Sequence, residues 1–198
     1  MGQLLIAIGR EFGSGGQEIA AKLGQRLGLN VYDKNMLDEM SERYGFDREV
    51  LDEHEETPVN VLFSRKIRGF SSSIEEVIAQ RQFEHIKEKA DSGESFIIVG
   101  RCAEHVLQGR PGLHAFFIRG DADMKCRTVM SRYNLEERDA RELMRRRDRQ
   151  RKNYHNFYCE GKWGDSRNYD LCINASAIGV DGAVELLYKY LELKEEIK

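Results

Sequence analysis

From Leu4 to Ile19 the chain reads Leu-Leu-Ile-Ala-Ile-Gly-Arg-Glu-Phe-Gly-Ser-Gly-Gly-Gln-Glu-Ile, and this stretch most restricts what the rest can fold into. An apolar run, Gln3 to Ile8, halts at glycine, as a strand buried on both faces does. A glycine-rich turn follows over Gly9–Gly16. Beyond it Ile19, Ala20, Leu23 and Leu27 recur at helical spacing until Gly28 ends the helix. Strand, tight turn and helix in that order open an α/β unit. Further apolar runs at Leu29–Tyr32, Ser95–Val99, His114–Ile118 and Tyr169–Asn174 alternate with helical patterns over 74–90, 121–132, 136–152 and 180–196. Five strands alternating with helices predict a five-stranded parallel sheet covered on both faces.

A length of 198 residues suits one domain with a small insertion. The 31 Lys and Arg against 34 Asp and Glu leave a net charge of −3, which carries no overall bias toward nucleic acid or anionic lipid. The runs free of charge fall far short of the roughly 20 apolar residues of a membrane helix, and no signal-like segment opens the chain. Cys102, Cys126, Cys159 and Cys172 lie far apart with no CxxC pair, and His54, His85, His105, His114 and His155 offer zinc no ligand spacing. Four reduced thiols and a cytoplasmic setting are expected.

The turn at Gly9–Gly16 has the makings of an anion cradle. Gly13, Gly15 and Gly16 allow a sharp bend whose amides point inward, and the next helix adds its positive end. The pattern GxxxxGK[ST] of phosphate-binding loops is nonetheless broken. Gly16 stands at its lysine, Gln17 at its hydroxyl residue and Arg10 at its opening glycine. Arg10 is therefore the candidate replacement cation, and Ser14 or Glu18 the candidate contact to a metal ion. Arg101 follows a buried strand, at the sheet edge where open α/β sheets bind ligands, and its planar fork suits phosphate. On the helix near residues 136–152, Leu143 and Met144 continue one turn later into Arg147, Asp148 and Arg151. Such a stripe leads from the core over a charged ligand. Interleaved stacking aromatics are missing from it, which disfavours nucleic acid.

Phe46–Ser73 fits the strand–helix rhythm badly. It is acidic at Glu53, Glu55 and Glu56, interrupted at Pro58, basic at Arg65, Lys66 and Arg68, and then serine-rich. Helical pieces inserted between the second and third strands, free to close over a substrate, are expected there.

Taken with Tyr32-Asp-Lys34, Ile97-Ile-Val-Gly-Arg101, Arg147-Asp148 with Arg151, and Trp163 with Tyr169-Asp-Leu-Cys-Ile-Asn174, the glycine turn resembles the cytidylate kinase-like proteins. These form a branch of the P-loop nucleoside-monophosphate kinases, and the matches run in order over nearly the whole chain. The resemblance implies a three-layer α/β/α P-loop kinase fold in one domain, with core 1–33, 92–144 and 168–198, a monophosphate-binding insertion at about 34–91 and a lid at about 145–167. It implies ATP and Mg2+ as co-substrates, a nucleotide or other small phosphorylated partner, and no membrane; no oligomeric state follows. Arg10, Phe12, Gly13, Ser14, Gly15, Gly16 and Gln17 are the expected ATP-binding residues. Asp33, Lys34, Arg81 and Arg101 are expected at the acceptor, and Arg147, Arg151 and Arg101 in catalysis. Val99-Gly-Arg-Cys102 replaces the Asp-Gly-Arg-Asp of true cytidylate kinases, and Lys34 replaces their small hydroxyl residue. Because polar groups of that kind set selectivity, the acceptor is left open. The lost lysine equally suits a catalytically weak nucleotide-binding sensor.

Overall fold

The computed structural model describes residues 2–54, 56–57, 66–67, 70–71 and 73–197. Five parallel strands form the sheet: β1 (Leu5–Arg10), β2 (Asn30–Tyr32), β5 (Phe96–Val99), β6 (Leu113–Arg119) and β7 (Leu171–Asn174), in the order β2-β5-β1-β6-β7. β1 is central. It pairs Leu5 with Phe96 on one side and with Leu113 on the other, and all six of its residues are buried.

Because side chains alternate across a strand, β1 feeds two cores. Ile6 and Ile8 join Ile97, Val99 and Phe116 under α1 (Gly16–Leu27) and α8 (Ala175–Leu193). Leu5 and Ala7 join Phe96 and Ile98 under α2 (Asn35–Tyr44), α4 (Ile74–Asp91) and α5 (Ala103–Val106). Helices therefore cover both faces, as the apolar runs predict. The whole carboxyl edge of the sheet is left to the turns that follow β1, β2, β5 and β6.

Between β2 and β5 lie α2, α3 (Arg48–Glu53) and an antiparallel hairpin, β3 (Lys66–Ile67) with β4 (Phe70–Ser71). The hairpin departs from the all-helical expectation; a β-branched and an aromatic residue in its two short strands favour extended backbone. Glu55, Pro58, Arg65 and Arg68 lie outside the described residues. After β6 come α6 (Ala122–Tyr133) and α7 (Glu137–Tyr158). α7 runs six residues past the expected end at 152 because its last turns bury Tyr154 against Ala79, Cys102 and Cys159. α8 starts five residues early. Asn174 caps it by accepting from the Ser176 amide, and Gly179, at φ 72° and ψ 172°, breaks it before the stretch that periodicity had marked. Among the described residues no helix is long and apolar enough to cross a membrane.

Helix approaches sheet tightly at Gly24 of α1. A Cβ there would overlap Val31 Cγ2 and come within 3.1 Å of the Leu29 carbonyl. Overpacking at such a contact outweighs the gain in helix propensity of about 1 kcal/mol. Gly24→Ala is expected to lower stability by about 2 kcal/mol, a melting decrease of about 4–8 °C for a chain of this size. A thermal melt at or above the wild-type midpoint would contradict this packing.

Candidate functional site

The glycine turn binds itself before it can bind anything else. Gly13 and Gly15 take φ of 81° and 84°, a left-handed backbone that glycine adopts without strain. A Cβ on Gly13 would lie 2.9 Å from Val129 and 3.0 Å from the Lys125 carbonyl. The Ser14 hydroxyl donates to the Glu11 carbonyl at 2.8 Å, so it turns into its own loop and not toward a metal ion. The Phe12 amide donates to Asp148 Oδ1 at 2.6 Å, and the Ser14 amide to the Glu11 carbonyl at 3.4 Å. Two of the amides expected to hold phosphate are thus engaged within the protein.

The lost lysine has a steric cause. A Cβ at Gly16 would lie 2.6 Å from Arg10 Cβ. A side chain at the opening position of the loop and one at the lysine position compete for the same space, so arginine at 10 requires glycine at 16. An ammonium does approach the loop from another element: Lys125 of α6 pairs with Glu11 at 2.9 Å and Asp148 at 3.5 Å. It is buried behind the turn in that pair.

Arg10 is 5% exposed, and its Nη1 lies 2.7 Å from Glu56 Oε1. The same carboxyl oxygen accepts the Arg101 amide at 3.0 Å, while Oε2 accepts from Arg151 Nε at 3.2 Å. One carboxylate from the inserted segment is therefore held by the end of β1, the turn after β5 and the middle of α7. Burial opposes the Glu56 charge, but Arg10, then Arg151, hold the group far below the usual carboxylate range. Burial and neighbouring Arg10 together push Arg151 down to about 10. Gly100 (φ 79°) makes room for this, since a Cβ there would overlap both Arg10 Nη1 and Glu56 Oε1.

Around the turn open two adjoining cavities. One, of about 520 Å³, is lined by Arg10, Phe12, Gly13, Gly15, Gly16 and Gln17 together with Glu18, Thr128, Arg132 and Tyr133. The other, of about 370 Å³, is lined by Asp33, Lys34, Glu56, Arg147, Gln150 and Arg151. Arg10, Phe12, Gln17, Arg132, Tyr133 and Arg151 border both. Gln17 donates to Asp33 Oδ2 at 2.6 Å where they meet.

Arg101 is placed differently from the expectation. It is fully enclosed, donating to the Val99 carbonyl at 2.7 Å and standing 3.5 Å from Asp33 Oδ1, so it supports the wall instead of lining either open cavity. Arg81 lies on an exposed face of α4, paired with Glu84 at 2.6 Å, and borders neither cavity. Glu56, Arg132, Tyr133 and Lys125 were not marked by the sequence pattern. Tyr133 stacks on Phe12 with ring centroids 5.7 Å apart, and Arg132 reaches Gln17 Oε1 at 3.3 Å.

Removing the Glu56 charge takes a buried carboxylate away from Arg10 and Arg151, and breaking a buried pair costs about 3–5 kcal/mol. Glu56→Gln is therefore expected to be destabilised by about 3 kcal/mol near neutral pH. The folded-state pKa is depressed from 4.5, so this stabilisation is complete above the unfolded value and is lost progressively as pH falls from there toward the much lower folded value. The gap between wild type and variant should narrow from about pH 5 to about pH 3. Denaturant melts at a series of pH values check this, and a gap that widens on acidification would contradict the clamp.

Comparison with known proteins places these features in a family. A solved uncharacterized protein from Eubacterium ventriosum ATCC 27560 is 40% identical, covering 96% of this chain and 99% of that one, with a TM-score of 0.77. Shikimate kinase from Bacteroides thetaiotaomicron aligns over 96% of this chain and 98% of its own at 14% identity and a TM-score of 0.57. Shikimate kinase from Acinetobacter baumannii, solved with shikimate, aligns over 98% and 94% at 16% identity and 0.52. These two likenesses show the P-loop kinase fold alone. None of the curated proteins compared with the chain matches it. The profile of the cytidylate kinase-like family matches residues 5–177, which takes in the glycine turn, the arginine cluster and all five strands: the chain belongs to the cytidylate kinase-like family.

Proposed function

We propose that the protein is an ATP-dependent phosphotransferase whose acceptor is a nucleoside monophosphate or another small phosphate-bearing molecule. The observation that carries this reading is the convergence of Arg10, Arg147 and Arg151 on adjoining cavities beside the glycine turn, with a carboxylate already seated between two of the three. A carboxylate there marks a subsite built for an anion. The 520 Å³ cavity has a volume ordinary for small-molecule sites. It takes the triphosphate, with Phe12 and Tyr133 offering an aromatic wall. The 370 Å³ cavity takes the acceptor between Asp33, Lys34 and the arginines.

Phosphoryl transfer asks a protein mainly for positioning and for charge at the right places. Arg10 supplies the cation that the loop's missing lysine would have supplied. Arg147 and Arg151, on a helix that crosses the carboxyl edge of the sheet, spread the charge that develops on the transferring group. Mg2+ would be held through Asp33, which borders the 370 Å³ cavity and accepts from Gln17, a residue that lines both; on phosphate oxygens the ion would neutralise charge. Glu56 must yield its arginines as an acceptor phosphate enters, so binding and rearrangement of the insertion are coupled.

Saturating MgATP is expected to raise the melting temperature, and an unmoved melt would remove this reading. Arg147→Ala should lower turnover by about 10²- to 10³-fold with ATP affinity little changed, whereas Arg10→Ala should weaken ATP binding by about tenfold or more. Equal losses in turnover and affinity on Arg147→Ala would count against its role at the transferring group. A panel of monophosphates in a transfer assay distinguishes the enzyme from a sensor, for which tight binding accompanies transfer to none.

A further inference from the structure

The end of α7 carries a second cluster, which lines neither of the two cavities assigned to the nucleotide and acceptor. His155 and Cys159 stand four residues apart at the helix terminus and so share a face. They meet Cys102 and Glu104, two residues apart at the start of α5. The turn leading there holds three successive positive φ values, at Gly100, Arg101 and Cys102. Glu104 Oε1 lies 2.6 Å from His155 Nε2, with the two side chains 8% and 6% exposed. Donor atoms of Glu104, His155 and Cys159 all lie within 4.8 Å of one another, and Cys102 belongs to the same buried cluster as Cys159.

A buried histidine is most often a satisfied core residue, but this one is not. One ring nitrogen meets Glu104, while the other, Nδ1, is enclosed with no hydrogen-bond partner. Two thiols and a carboxylate around one imidazole are also the donor set of a borderline-soft cation, in which histidine and cysteine dominate. Tetrahedral zinc sets its donors about 3.3–3.8 Å apart, so the Glu104–His155 pair at 2.6 Å would open by about 0.7 Å and separations of up to 4.8 Å would close by about 1–1.5 Å. A cavity of about 420 Å³, lined by Glu104, His155 and Cys159, provides the entry path.

We propose that Glu104, His155 and Cys159, with Cys102 as fourth donor, form a binding site for zinc or a similar divalent cation. Four protein donors make a closed, structural site, which pins the end of α7 to the turn after β5. The Cys102-x-Glu104 and His155-x-x-x-Cys159 pairs are about 50 residues apart in the chain, so neither announces a zinc site by spacing alone.

The test uses tag-free, full-length protein, reduced and stripped with a chelator, without nucleotide. Zinc alone, titrated against a chromophoric competitor, should bind with one equivalent and an affinity in about the nanomolar range or tighter. Cobalt should give the visible bands of a tetrahedral site together with thiolate charge transfer. His155→Gln and Cys159→Ser should each weaken binding by about 100-fold or more, and Glu104→Gln by at least about tenfold. Cys172→Ser, on the exposed thiol of β7, should leave it unchanged. Far-UV circular dichroism verifies that each variant is folded, and zinc should raise the melting temperature of wild type but not of folded His155→Gln. Absence of saturable binding at micromolar zinc overturns the proposal, as does unaltered affinity in His155→Gln and Cys159→Ser. It falls equally if the chain ignores zinc while peroxide joins Cys102 to Cys159, two thiols being oxidised as the peroxide is reduced to water; the cluster is then a redox pair.

Discussion

The ion cluster of Arg10, Glu56 and Arg151 ties together segments that otherwise share little. Arg10 ends the central strand, Glu56 comes from the insertion, Arg151 from the middle of α7, and the Arg101 amide from the turn after β5. A carboxylate buried to this extent is costly to desolvate, and such a pair is retained only where geometry and further hydrogen bonds compensate. Here two guanidinium groups and one amide do so. The cluster is therefore a structural joint at the edge of the sheet where the proposed phosphate site lies.

Helix α7 distributes that joint across the molecule. Its first turns pack Ala140 and Met144 against Cys126 and Val129 of α6. Its middle sends Asp148 to the Phe12 amide and Arg151 to Glu56. Its last turn sets Tyr154 and Cys159 against Cys102 and Ala79. A helix fastened at both ends and charged in the middle delivers its arginines to a defined place.

The exchange between residues 10 and 16 shows why a broken motif need not mean a broken site. Read as a pattern, Arg10 and Gly16 are two departures from a phosphate loop. In the folded chain they are one, because Arg10 Cβ occupies the room that a side chain at 16 would need. A cationic side chain stands at the strand end of the turn, and glycine stands at its helix end. Sequence comparison sees two substitutions; the backbone sees one volume shared by two positions.

Much of the architecture follows from local rules that a linear chain already obeys. Alternation in Leu5–Ile8, the runs Phe96–Val99 and Leu113–Arg119, and the glycines at 13, 15 and 28 specify strands, turn and helix ends through side-chain period and backbone sterics, which act between near neighbours. The parallel sheet, and the loop with Asp33 and the α7 arginines around it, were legible for that reason. Arg101 was legible as a position and not as a surface, because its burial depends on Val99, Asp33 and the insertion at once. Glu56 carried no signal: among Glu53 and Glu55 it reads as one of several solvated acids, and only the fold brings it to three arginines far along the chain. The meeting of Cys102 and Glu104 with His155 and Cys159 is of the same kind. Charge pairing and ligand geometry act through space over a few ångströms, so what the sequence by itself determined is which elements form, and what the tertiary structure decided is which of their polar groups face one another.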